Sequence, residues 1–194
     1  MNALNLAVFH WLSAGTQPTP WVLSVASALA LRGSWLCAAI LVAALWRQRA
    51  DRAYLFVVAA MAGATSLVSH AIALSLDMPR PFVLGLAPAY IDHAGRGGFP
   101  SAHAAVMFMV ALAFLLRPGL RRLGVPLLAL AAATGWARIY VGVHFPLDIV
   151  GGLLLAGVVA GALAVAQWLV HLAVPRTGRA SGDEHPVRSL WRPS

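Results

Sequence analysis

The sequence predicts an all-α fold, a polytopic membrane helix bundle of five spans preceded by a short N-terminal interfacial helix. Three observations carry that expectation. Of 194 residues, 60% are hydrophobic and 10% charged, against about 25% charged in an ordinary soluble domain. Five apolar runs reach or approach the roughly 20 residues needed to cross a bilayer. The arginines gather on alternate connections between those runs, as expected where cytoplasmic loops concentrate basic residues.

The first apolar stretch, Asn2 to Ser13, is ended by Gly15, Pro18 and Pro20. It is too short to span and is expected at the interface. The five spans are Trp21 to Trp46, Tyr54 to Leu76, Ser101 to Leu116, Leu123 to Tyr140 and Pro146 to Val174. They form a single membrane domain over residues 1–174, and the polar, Pro- and Gly-containing tail after it is expected to be disordered. Several of the seven Trp lie near span ends (Trp21, Trp46, Trp136 and Trp168) and fit interface anchoring. Gly157 and Gly161 form a small-xxx-small pattern, which predicts close helix packing within the bundle or between copies in a homo-oligomer.

The net charge is +8, and all fourteen basic residues are Arg. No basic helix face or aromatic-studded groove accompanies them, so a nucleic-acid partner is not expected. A lone Cys37 in an apolar run excludes a disulfide framework or a cysteine metal site. The first positive charge is Arg32, so no cleavable signal peptide is read. Ten Arg and three acidic residues fall on one side, a net +7. These are Arg47, Arg49 and Arg52, then Arg117, Arg121 and Arg122, then the four of the tail. The N-terminus is therefore expected outside and the C-terminus inside.

Arg80, Arg96 and Arg138 lie in or beside the outward connections, where topology gives no reason to place them. Pro79 and Pro81 hold Arg80 in an extended segment. Ser101 is a good N-cap for the third span, whose first turn makes an anion site with His103 at its mouth. In the last connection, Gly142 allows a turn and Pro146 suits a first helical position. His144 and Asp148 are four residues apart across that helix start, close enough for the carboxylate to fix the imidazole tautomer. The free ring nitrogen is then a nucleophile or base. Arginine suits bidentate binding of phosphate oxygens, and two histidines allow one to attack phosphorus while the other protonates the leaving oxygen. Asp77, Asp92 and Asp148 are dispersed and no two His share a ligand-like spacing, so neither a metal nor another cofactor is expected.

Arg80-Pro81, Pro100-Ser101-Ala102-His103, and Arg138 followed by His144 and Asp148 together resemble the signature of the type 2 phosphatidic acid phosphatase superfamily. Its usual form is KxxxxxxRP, PSGH and SRxxxxxHxxxD. The FPSAH and RIYVGVHFPLDIVGG stretches look most like the bacterial undecaprenyl-diphosphate phosphatases of that superfamily. The resemblance implies an inner-membrane enzyme acting on an isoprenoid diphosphate lipid at the outer face. It implies that His144 attacks the terminal phosphorus and that Asp148 orients it. His103 would protonate the leaving lipid phosphate and then activate water. Arg80, Ser101, Ala102 and Arg138 would surround the phosphate. Three positions depart from the signature: Ala73 stands for the Lys, Ala102 for the Gly and Ala137 for the Ser.

Arg32 sits near the middle of the first span, beside Gly33 and Ser34. Either the span breaks there and Arg32 reaches an interface, or Arg32 joins the phosphate site in place of the Lys absent at Ala73. Asp92, His93 and Arg96 read as a solvated rim, the alternative being that one of them touches substrate, and His70 and His171 as structural contacts within spans. The rival functions are a phosphatase for phosphatidylglycerol phosphate or phosphatidate, a lipid phosphotransferase, and a non-catalytic lipid binder or transporter. A binder needs the arginines but not a His paired to an Asp four residues on.

Overall fold

The computed structural model describes residues 3–95 and 97–173. The expected disorder of the tail concerns residues outside that range. The elements are α1 (Ala3–Leu12), α2 (Pro20–Arg47), α3 (Arg52–Leu76), α4 (Ala102–Leu116), α5 (Arg121–Tyr140) and α6 (Pro146–Ala173), with 3₁₀ turns at Arg49–Asp51 and Pro118–Leu120. No strand occurs among the described residues.

Local chemistry sets the helix ends. Pro20 opens α2 at a position where a missing N–H costs nothing. Arg52 donates to the carbonyls of Leu45 and Trp46 at 3.1 and 3.4 Å, and Arg121 to that of Leu115 at 3.0 Å. Both satisfy carbonyls that a helix C-terminus leaves unpaired. A 2.8 Å ion pair between Arg117 and Asp51 ties the α2–α3 and α4–α5 connections together, so these arginine-rich connections share one end of the bundle.

Helix α4 is central. Nine of its residues, among them Met107, Met109, Val110 and Phe114, are buried, and it packs mainly on α5 and α6, with α3 next. Among the described residues, four helices are long and apolar enough to cross a membrane by length and composition: α2, α3 and α5 each with its leading 3₁₀ turn, and α6. The third expected span is present as a helix of 15 residues, about 22 Å long and thus shorter than the hydrocarbon layer. The outer surface exposes Trp21, Trp35, Trp46, Leu67, Leu74, Val158, Trp168 and Leu172, a distribution suited to lipid contact.

The expected interfacial helix does more than lie on the surface. Phe9 of α1 is fully buried and stacks tilted against Phe145 at 5.3 Å. Asn5 accepts the backbone N–H of Leu147 at 3.1 Å, satisfying a donor in the first turn of α6.

Glycines set how closely helices approach. A Cβ on Gly152 would lie 2.8 Å from both the Ser101 carbonyl and Ala104 Cβ. Gly157 and Gly161 have nothing near their would-be Cβ atoms and are exposed. The expected small-residue packing therefore does not occur within this bundle, because both glycines lie off the buried Gly152, Ala156, Ala160 stripe. Gly152→Ala should destabilise the purified protein by about 1–3 kcal/mol through overpacking against rigid backbone. Gly157→Ala should be neutral or stabilise by up to about 1 kcal/mol. Unfolding in detergent measures both.

Candidate active site

Two connections at the end of the bundle opposite Arg117 and Asp51 build the site. The α3–α4 connection closes on itself where Gly98 N–H donates to the Met78 carbonyl at 2.9 Å. A Cβ there would lie 3.1 Å from that carbonyl and 3.6 Å from Arg80 Cγ, so the small residue keeps Arg80 against the loop. Ser101 N–H donates to the Asp148 carbonyl at 3.0 Å, joining the start of α4 to that of α6. In the α5–α6 connection, the Arg138 carbonyl accepts from both Val143 and His144 N–H at 3.2 Å. Gly142 takes φ +79° in that turn, where a side chain would be strained and would collide with the Pro88 carbonyl. The turn folds His144 back beside Arg138.

His144 is the hub. Its Nδ1–H donates to Asp148 Oδ2 at 3.1 Å, and the same oxygen accepts Phe145 N–H at 2.8 Å. Asp148 thereby caps the first turn of α6 and fixes the imidazole tautomer together. Three donors surround Nε2: Arg80 Nη1 at 3.0 Å, which is also 3.4 Å from Nδ1 and so lies over the ring face, with Arg138 Nη2 and Ser101 Oγ at 3.4 Å. Backbone carbonyls hold the guanidiniums in turn. Arg80 donates to Val143 at 2.9 Å and Gly97 at 3.0 Å; Arg138 donates to Ala30 of α2 at 3.1 Å. All five side chains are nearly sealed: Arg138 and His144 are 2% exposed, Arg80 and Asp148 5%, Ser101 0%.

Beside this cluster lies a cavity of about 260 Å³, walled by Ser69, His70 and Ala73 of α3, Arg80, His93 and Gly97 of the loop, Ala102 and His103 of α4, Arg138 and His144. The structure thus brings Arg80, Arg138 and His144 together with Ala102 and His103. Ser101 N-caps α4 by backbone geometry, but its hydroxyl makes no capping bond and turns to His144.

Two placements differ from expectation. Arg32 is exposed and does not line the cavity. The buried stripe of α2 runs through Ala26, Ala30, Gly33 and Cys37, and Arg32 falls off it by helical phase. His93 belongs not to a solvated rim but to the cavity wall. Its Nε2 accepts from Arg138 Nη2 at 2.6 Å, and its ring meets His144 edge-on at 5.9 Å. The sequence signal for it was only its place in the same loop as Arg80. Among the described residues no group of three His, Cys, Asp or Glu is placed to hold a metal.

The PAP2 superfamily profile matches residues 52–171, which contain every residue of this cluster. The chain belongs to the PAP2 superfamily. It is 34% identical over 171 residues to the putative undecaprenyl-diphosphatase YbjG of Escherichia coli, covering 87% of this chain and 84% of that protein. It is 37% identical to the undecaprenyl-diphosphatase BcrC of Bacillus subtilis over 90 residues, 46% of each. In fold it is similar to the crystal structure of Aquifex aeolicus LpxE, with a TM-score of 0.70, 23% identity, and coverage of 85% of this chain and 96% of that one. As a PAP2 protein it is a membrane lipid phosphatase, a hydrolase.

The electrostatics of the PAP2 site fit an anion. Two buried guanidiniums face one carboxylate. Burial draws the Arg80 pKa below its usual value, with Asp148 opposing, yet an arginine remains charged at any working pH. Burial and then the charges of Arg138 and Arg80 hold His144 well below 6.5, leaving the ring neutral at neutral pH. Burial followed by Arg80 and Arg138 lowers His93 to about 4.

Both histidines bind protons more weakly folded than unfolded, so the unfolded state gains protons first as pH falls. The melting temperature in detergent should therefore drop from about pH 6.5 toward the lowered values, and His93→Gln should flatten part of that slope. Arg32→Gln, exposed and off the cavity wall, should leave phosphatase kinetics within about twofold of wild type, as for a surface substitution.

Proposed function

We propose that this chain hydrolyses the terminal phosphate of undecaprenyl diphosphate, giving undecaprenyl phosphate and inorganic phosphate through a phosphohistidine. The observation that carries the reading is His144 Nε2, its tautomer fixed by Asp148 and the ring surrounded by Arg80, Arg138 and Ser101 within 3.4 Å. Nucleophilic catalysis requires an imidazole held in one tautomer. Phosphoryl transfer requires donors preorganised around the equatorial oxygens.

His144 Nε2 attacks the terminal phosphorus. The bond from phosphorus to the bridging oxygen breaks, and His103, on the cavity wall, gives that oxygen a proton. Asp148 compensates the positive charge that forms on the His144 ring. Arg80, Arg138 and Ser101 exchange their contacts with Nε2 for contacts with the transferring oxygens, and the N–H groups opening α4 beside Ala102 add a positive dipole end. His103 then takes a proton from water, whose oxygen attacks the phosphohistidine and frees His144. Two curated relatives support this substrate by name. The site is assigned to the outer face of the bacterial inner membrane, because the arginine-rich connections joined by Arg117 and Asp51 lie at the other end.

The test is phosphate release by the purified protein in detergent with a chelator present. Undecaprenyl diphosphate is compared with phosphatidylglycerol phosphate, phosphatidate and a lipid acceptor. Undecaprenyl diphosphate should be the best substrate, and His144→Ala should lower turnover by at least about a thousandfold. Label from the terminal phosphate should be trapped on the wild-type protein by rapid denaturation. Faster release from another lipid overturns the substrate, and loss of activity in chelator overturns the mechanism.

A further inference from the structure

Among the described residues the cavity wall holds two permanent cations, Arg80 and Arg138, with the Asp148 carboxylate behind His144, and the α3 wall contributes the uncharged Ala73. One phosphate group alone carries about 1.5 to 2 negative charges at neutral pH, and a diphosphate carries more. A diphosphate head group therefore brings more negative charge than the fixed cations balance.

His93 is the group placed to respond. It is half-buried, so water reaches it, and it spends its Nε2 lone pair on Arg138 Nη2 at 2.6 Å. Nη2 carries two hydrogens: the one near His144 turns to a transferring oxygen, and a second phosphate oxygen that takes the other displaces the imidazole acceptor, so that two lone pairs face each other. The conflict ends when Nε2 gains a proton and becomes a donor.

We infer that His93 is a substrate-binding residue: as the diphosphate head enters, its imidazole leaves Arg138, takes a proton from solvent and donates Nε2–H to a phosphate oxygen. The inference rests on the diphosphate reading given above. The groups that face His93 are Arg80 from its own loop, Arg138 from α5, His144 from the α5–α6 connection and His103 from α4. Asp148 stands behind His144, and Asp92 adjoins His93 in sequence. Burial and then the two arginines keep His93 neutral; an anion between the arginines opposes the field they set up and favours the protonated ring. His93 thus acts as a cation that exists only when the site is filled.

The probe is methylenediphosphonate, a diphosphate whose bridge cannot be hydrolysed, so binding is measured apart from turnover. It is titrated calorimetrically into the detergent-purified full chain near pH 6.5 in two buffers of different ionisation enthalpy. Wild type should take up about one more proton than His93→Gln and bind roughly tenfold tighter, the range of one charge-assisted hydrogen bond. His93→Arg, a permanent cation, should bind tightly without the extra proton. With undecaprenyl diphosphate, His93→Gln should raise KM more than it lowers kcat. Equal proton uptake in wild type and both variants, equal affinity of wild type and His93→Gln, or no binding by wild type overturns the inference. A His93-dependent proton uptake with poor hydrolysis of undecaprenyl diphosphate supports the inference and overturns the substrate reading instead.

Discussion

Burial of two guanidinium groups around one imidazole is the constraint on which the rest of this structure depends. In an interior of effective dielectric about 20, two like charges a few ångströms apart repel by several kcal/mol, and Asp148 offsets only one of them. Backbone carbonyls of Val143, Gly97 and Ala30 supply the remaining compensation. Each of those carbonyls belongs to a different segment, so satisfying the arginines also registers the α5–α6 turn, the α3–α4 loop and α2 against one another. A cluster assembled this way is tight yet electrostatically incomplete, which is the condition for binding an anion strongly.

Close approach of backbones makes that cluster geometrically reachable. Gly98 lies against Arg80 and the Met78 carbonyl, and Gly152 lets α6 settle on the start of α4. The short α4 therefore begins inside protein, at the fully buried Ser101. Its unpaired N–H groups open on the cavity rather than on solvent. The α1 helix, wedged behind Phe145 through Phe9, supports the same turn from outside. Asp148 serves fold and chemistry together, because one oxygen caps α6 and orients His144.

Much of this was legible in the chain. The helices fall within a few residues of the apolar runs because hydrophobic length and Pro or Gly punctuation are local properties. Arg80, Ser101, His103, Arg138, His144 and Asp148 were legible as a group because their spacing is distinctive and each sits in one of two connections or in the helix turn beside it. His93 was not, since a lone histidine in a polar loop carries no periodicity, and only the fold of the α3–α4 connection brings it to Arg138. The two readings open for Arg32 could not be separated along the chain for a related reason. A charge inside an apolar run signals an anomaly, but the face it occupies depends on how α2 packs against α5. Gly157 and Gly161 had the spacing of a helix contact, yet the neighbouring phase of α6 became the buried one.

The sequence by itself determined the membrane bundle, the two connections that build the candidate site, and the residue types gathered there, because hydropathy, charge asymmetry and short-range spacing are written along the chain. Tertiary structure decided which lone pairs and donors face one another: that His144 Nε2 sits among three donors, that Ser101 turns its hydroxyl inward, that His93 joins the wall and Arg32 does not. Those outcomes depend on helix rotation and loop closure, which follow from packing between segments distant in sequence rather than from any local pattern.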